Sequence, residues 1–117
     1  MKKAFWIGVL TLIVVAGVFA SSWSSWNYLT SVDGVELHYK YRHRSDYTDV
    51  KWKVVNNTSG VCFASVEDKV YTLAGGGTTS KSDEGSRVRS YSEYTFVEDI
   101  ISGEVTYVQA SLNIRWE

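Results

Sequence analysis

The sequence lacks proline, has a single cysteine and carries no excess of basic residues. One cysteine cannot form an intramolecular disulfide, which excludes a disulfide-stapled fold. The formal net charge is -1, with 12 Lys and Arg against 13 Asp and Glu, so nucleic acid is not an expected partner. With 44% hydrophobic and 15% aromatic residues, the chain is too apolar to be disordered. Its 117 residues fit one domain.

The N-terminus has the pattern of an export leader. Lys2 and Lys3 precede an uncharged apolar run, residues 4–20. Val18 and Ala20 fit the side-chain pockets of a signal peptidase, which predicts cleavage after Ala20. The alternative is a retained membrane anchor, although the run is at the short limit for a bilayer-spanning helix. The remaining chain is therefore expected to be periplasmic or secreted, or to be anchored to the inner membrane through residues 4–20.

After the signal peptide, residues 1–20, we expect a linker rich in serine and aromatics, 21–32, and then a folded domain, 33–117. Apolar and polar side chains alternate along runs such as 35–42 and 50–54. This period of two is typical of strands that bury one face. The domain has no stretch with the apolar spacing of an amphipathic helix.

About seven short strands separated by polar turns predict an all-β domain, a small antiparallel immunoglobulin-like β-sandwich. A small barrel is the alternative. We expect Trp52, between Val50 and Val54, to lie in the core. The turns are expected at 67–69, 75–85 and 100–103.

The residue types that carry catalysis or bind metals are sparse. His38 and His43 are an odd number of residues apart on one predicted strand, so they face opposite sides of the sheet. Cys62 lies in an apolar strand, where a thiol usually behaves as a small hydrophobe. The acidic pairs fall in predicted solvated turns: Glu67-Asp68, Asp83-Glu84 and Glu98-Asp99. We therefore expect no catalytic residues, no metal site and no cofactor.

Two surface features are candidates for binding a partner. Lys40 and Arg42 on one strand, and Lys51 and Lys53 on the next, point away from the predicted core. If the two strands pair, these four cations share one face of a sheet. The other candidate is the linker, where Trp23 and Trp26 need an apolar or partner contact because exposed tryptophan is unfavourable.

These observations predict an exported, non-catalytic β-sandwich that binds a protein or a surface in the cell envelope. Its protein partner cannot be named from the sequence. Two alternatives stay open. One is a membrane-anchored accessory subunit that retains residues 4–20 as a transmembrane helix, and the other is an inhibitor of a secreted enzyme.

Overall fold

The computed structural model describes residues 22–117, which form nine strands in two antiparallel sheets. The predicted leader, residues 1–20, lies outside the described residues. The strands are β1 (Asn27–Val32), β2 (Val35–Arg44), β3 (Tyr47–Asn56), β4 (Cys62–Leu73), β5 (Thr78–Lys81), β6 (Glu84–Val88), β7 (Glu93–Thr95), β8 (Asp99–Ser102) and β9 (Val105–Trp116).

The first sheet is built around the β2–β3 hairpin. The two strands pair without interruption from Val35 opposite Asn56 to Arg44 opposite Tyr47. β1 pairs with the free side of β2, and the short strands β7 and β8 follow one another along the free side of β3. The two strands on which the sequence placed the four cations therefore pair with each other.

The second sheet has β4 at its centre, with β9 on one side and β5 and β6 in succession on the other. Near the middle of β4, two residues, Asp68 and Lys69, lie opposite a single residue of β9, Ala110. Asp68 has a positive φ of 52°. This β-bulge shifts the alternation by one residue, so that Lys69 and Tyr71 point into the core.

The inward faces of the two sheets enclose one hydrophobic core. Trp52 on β3 is fully buried, as the sequence predicted, and its indole Nε1–H donates a hydrogen bond of 2.8 Å to the hydroxyl of Tyr71 on β4. The indole therefore brings its large apolar surface into the core without leaving its N–H unpaired. The other buried hydrophobic residues are Val35, Leu37, Val50, Val54, Cys62, Ala64, Val66, Val88, Phe96, Ile101, Val105, Val108 and Leu112.

Three segments that the sequence predicted to be turns are wholly or partly strand in the structure. The turn expected at 67–69 is wrong, because the chain passes through the bulge and continues as one strand, Cys62–Leu73. The loop expected at 75–85 contains β5 and the start of β6. Most of the turn expected at 100–103 belongs to β8, where Ile101 is buried. In each case pairing with a long neighbouring strand outweighs the local preference for a turn.

The described residues therefore contain more strands than the seven expected, although the all-β, two-sheet architecture agrees. Part of the segment assigned to a linker, Asn27–Val32, is strand β1. The hairpin between β1 and β2 turns at Asp33 and Gly34, which both have positive φ. An Asp-Gly pair suits this conformation, since glycine has no Cβ to clash there.

Candidate functional site

The four predicted cations lie on the outer face of the first sheet. The pairing of β2 with β3 sets Lys40 directly opposite Lys51, while Lys53 faces His38 and Arg42 faces Asp49. Strand alternation turns these side chains away from the core that Trp52 and its neighbours fill. The structure thus brings together the cations that the sequence proposed as a binding patch.

The segment before β1, residues 22–26, lies against the edge of β2. The backbone N–H of Ser24 donates to the carbonyl of Tyr41 at 2.7 Å, and the N–H of Tyr41 donates to the Ser24 hydroxyl at 3.0 Å. The amide of Asn27 donates to the carbonyl of Tyr39 at 3.4 Å. These bonds hold Trp23 and Trp26 over the outer face of the sheet.

Both tryptophan rings contact the cations. The ring centroid of Trp23 is 4.6 Å from Lys51 Nζ, 5.3 Å from Lys40 Nζ and 4.6 Å from Arg42 Cζ. The ring centroid of Trp26 is 4.7 Å from Lys40 Nζ and 4.4 Å from Lys53 Nζ. These distances are typical of cation–π interactions. The two features proposed separately from the sequence thus form one surface, which we call the Trp-Lys face: Trp23, Trp26, Lys40, Arg42, Lys51 and Lys53.

Carboxylates neutralise only some of these cations. Asp49, whose side chain is 1% exposed, accepts hydrogen bonds from Arg42 and Arg44 at 2.7 Å. The hydrogen bond from Arg44, assisted by Arg42, holds the pKa of Asp49 below its ordinary value, although burial opposes the shift. Lys53 Nζ lies 3.3 Å from Glu93.

The remaining two lysines of the face, Lys40 and Lys51, form no ion pair with a carboxylate within residues 22–117. Desolvation lowers the pKa of Lys40, and the nearby charges of Lys51 and Lys53 lower it further. The centre of the face is therefore a pair of adjacent positive charges that lie against aromatic rings.

A groove of about 340 Å³ lies where the inward face of β2 passes the start of β9. His43 lines it, and its Nδ1 is 3.0 Å from the hydroxyl of Thr48. That hydroxyl donates to the carbonyl of Gly103 and accepts the N–H of Val105, so Nδ1 of His43 must be the donor. In neutral His43 the other ring nitrogen, Nε2, is then a hydrogen-bond acceptor. The groove is lined by Tyr39, Tyr41, His43, Glu104, Val105, Thr106, Tyr107 and Val108.

The residues considered for catalysis are spread through the fold. His38 lies on the outer face, 2.8 Å from Glu36, whereas His43 lies on the inner face. Cys62 is buried, and desolvation raises the pKa of its thiol, which disfavours the reactive thiolate. Within the described part of the chain, no three His, Cys, Asp or Glu residues are grouped to hold a metal ion. The same residues include no helix long and apolar enough to cross a membrane.

Sequence reasoning missed a buried polar network that joins the two sheets. Lys69 is 1% exposed, and its Nζ lies 2.7 Å from Glu84 and 2.9 Å from Asp99. The hydroxyl of Tyr71 donates to Asp99 and accepts the indole N–H of Trp52. Asp99 is the first residue of β8 in the first sheet, and Glu84 is the first residue of β6 in the second sheet.

A signal for this network is present in the sequence. The buried positions of β4 are even-numbered up to Val66 and odd-numbered from Lys69 onward. A change of phase between two apolar runs indicates either a turn or a bulge, and the acidic pair Glu67-Asp68 favoured a turn. Recognising the bulge would have placed Lys69 inside and required buried carboxylates to pair with it.

Comparison with known proteins finds no family model, curated protein or solved structure that matches this chain.

Proposed function

We propose that this protein is an exported, non-catalytic domain of the cell envelope that binds an anionic surface through the Trp-Lys face. The framework would be an immunoglobulin-like sandwich that serves as a rigid platform for recognition. The anionic surface we favour is a membrane containing acidic phospholipids. The proposal does not depend on whether residues 4–20 are cleaved.

The observation that carries this proposal is the pairing of Lys40 with Lys51. Like charges directly opposite each other in an antiparallel pair destabilise a sheet. Elsewhere on the same face Lys53 has a carboxylate partner and Arg42 shares Asp49 with Arg44, whereas Lys40 and Lys51 at the centre have no carboxylate partner within residues 22–117. A phosphate group bound there would contact both ammonium groups and remove their repulsion.

The aromatic residues of this region favour a lipid surface over an acidic protein. Tryptophan, tyrosine and lysine are the residues that concentrate at the level of lipid headgroups. Trp23 and Trp26 are half-buried, and Tyr28, whose ring packs against His38 on the same side of the sheet, is 58% exposed. The apolar run ends at residue 20, three residues before Trp23. A retained anchor would tether this face close to the headgroups.

Vesicle co-sedimentation tests the proposal. Vesicles containing phosphatidylglycerol should bind the protein, and vesicles of phosphatidylcholine alone should bind it much more weakly. The double variant Lys40→Gln/Lys51→Gln should lose about tenfold or more in affinity, because each lysine near an anionic bilayer contributes about 1 kcal/mol. Added salt should weaken binding of the wild type more than that of the variant.

Lys81→Gln is the matched control, since Lys81 is an exposed lysine on β5 in the other sheet. It should bind as the wild type does. Equal affinity of the double variant and the wild type would contradict the assignment of this face. Binding to neither kind of vesicle would exclude the lipid surface and leave a protein as the partner. N-terminal sequencing of the purified protein decides between a chain that starts at Ser21 and a retained anchor.

A further inference from the structure

The ammonium group of Lys69 is enclosed between two carboxylates from different sheets. Its Nζ lies 2.7 Å from Oε2 of Glu84 and 2.9 Å from Oδ2 of Asp99, and its side chain is 1% exposed. The bulge in β4 fixes this position, because it turns Lys69 inward from the strand. An amine and a carboxyl group are therefore held in contact inside the protein.

Burial makes this contact chemically different from a surface ion pair. Removing an ammonium and a carboxylate from water is unfavourable, and a contact pair in a medium of low dielectric is only partly stabilised by its own attraction. Oδ2 of Asp99 accepts hydrogen bonds from Lys69 and Tyr71, so when one proton passes from Lys69 to Asp99 it is held on Oδ1, which gives a neutral amine and a neutral carboxylic acid. These are the reacting forms for amide formation.

We propose that Lys69 and Asp99 condense to form an intramolecular isopeptide bond that joins β4 of the second sheet to β8 of the first. This inference goes beyond the proposed function and uses none of the residues of the Trp-Lys face.

The neighbouring residues supply the proton transfers. The lone pair of Lys69 Nζ attacks Cγ of the protonated Asp99 carboxyl group, and the negative charge develops on Oδ2. Glu84 accepts a proton from Nζ and delivers it to the Asp99 hydroxyl. That hydroxyl leaves as water when its bond to Cγ breaks, and Oδ2 becomes the amide carbonyl oxygen. One C–N bond forms, one C–O bond breaks and one water molecule is released.

Tyr71 is placed to stabilise the tetrahedral intermediate. Its hydroxyl donates to Oδ2 of Asp99, the oxygen on which charge develops, and accepts a hydrogen bond from Trp52 at 2.8 Å. Desolvation, with Asp99 nearby, raises the pKa of Tyr71, so its hydroxyl keeps its proton and remains a donor.

Amide synthesis from a free carboxylic acid otherwise needs the carboxyl group to be given a better leaving group. Here the proximity of Lys69 Nζ to the carboxyl group of Asp99 takes the place of that activation. Holding two groups in a reactive orientation can be equivalent to an effective concentration of about 10⁵ M or more. The side chains of Glu84 and Asp99 are 27% and 14% exposed, so the released water has a short path out of the protein. Exclusion of bulk water around Lys69 then protects the product from hydrolysis.

The intact mass of the purified wild-type protein tests this inference. It should be lower, by one water molecule, than the mass calculated for the chain that N-terminal sequencing defines. Fragmentation of a proteolytic digest should give a branched peptide that joins Lys69 to Asp99. Loss of water at another position, such as a succinimide at Asp33-Gly34, or a mass equal to the calculated value, would overturn the proposal.

Two variants separate the covalent bond from a simple ion pair. Lys69→Arg keeps a cation between the carboxylates but cannot condense, because the guanidinium stays protonated, so it should have its full calculated mass. Glu84→Gln should fold, as judged by circular dichroism, and should also keep its full mass, since it lacks the group that moves the proton. Complete water loss in folded Glu84→Gln would contradict the role of Glu84.

Discussion

Lys40 and Lys51 are direct cross-strand neighbours in the β2–β3 hairpin, and the ring of Trp23 contacts the ammonium groups of both. Two like charges at this spacing repel each other, whereas the electron-rich face of an indole attracts both. The segment that contains Trp23 therefore stabilises a charge arrangement that is unfavourable for the bare sheet. This conflict makes the outer face of the first sheet the most informative surface to test.

The charge coupling on this face should be visible in the titration of Lys40. Its pKa lies below the ordinary value of 10.5 because of desolvation and the charges of Lys51 and Lys53. Lys51→Gln should raise the pKa of Lys40 toward 10.5 by removing one of these charges. NMR of ¹³C-labelled lysine side chains measures this shift. Lys81→Gln should leave the titration of Lys40 unchanged, and an identical titration in both variants would refute the coupling.

Acid should weaken the fold through Asp49. Its pKa in the folded state is below the ordinary value of 3.8, chiefly because of its hydrogen bond to Arg44. A carboxylate with a depressed pKa contributes its full stabilisation above the unfolded-state pKa and loses it as the pH falls through the folded-state pKa. Asp49→Asn should cost about 1.5–3 kcal/mol at neutral pH, as expected for hydrogen bonds to a charged group. This difference should shrink below pH 3.8.

Urea unfolding of the wild type and the Asp49 variant across this pH range measures the difference. Asp46→Asn is the control, because Asp46 is an exposed carboxylate in the turn between β2 and β3. A constant gap between the wild type and Asp49→Asn at all pH values would show that the ionised carboxylate is not the stabilising form.

Trp52 should contribute a large part of the stability that the core provides. Trp52→Ala removes a fully buried indole and its hydrogen bond to Tyr71, and should cost about 3–5 kcal/mol in the free energy of unfolding. Trp116→Ala, at a position 39% exposed near the end of β9, should cost much less. Denaturant titration followed by far-ultraviolet circular dichroism compares the two. Equal losses would contradict the position of Trp52 between the sheets.

The same substitution should destabilise the protein strongly at Asn56 and hardly at all at Asn57. The amide Nδ2 of Asn56 is buried and donates to the carbonyls of Gly60 at 2.9 Å and Arg89 at 3.0 Å. Asn56→Asp would place a carboxylate oxygen against these carbonyl oxygens and should cost about 3–5 kcal/mol, as expected for an uncompensated buried charge. Asn57 is exposed, and Asn57→Asp should change stability by about 0.5 kcal/mol or less. Thermal unfolding of both variants would detect this difference, and similar melting temperatures would disprove it.

The sequence predicted much of the candidate face and little of the buried network. Lys40, Arg42, Lys51 and Lys53 could be assigned to one side of a sheet because alternation along a strand is a local property. Their contact with the tryptophans could not be predicted, because it depends on where the segment before β1 docks. Whether this face binds a partner stays a prediction.

The sequence by itself determined that the domain is built from antiparallel strands, that Trp52 lies inside, and that Lys40, Arg42, Lys51 and Lys53 point away from the core. Each of these follows from residues that are close together in the chain. Only the tertiary structure decided that Lys69 is buried and that Glu84 and Asp99 meet it. The physical reason is that a single-residue bulge reverses the direction of every later side chain in β4. The local sequence at residues 67–69 fits a turn as well as a bulge. The pairing of β4 with β9 selects the bulge, and that pairing cannot be deduced from neighbouring residues in the chain.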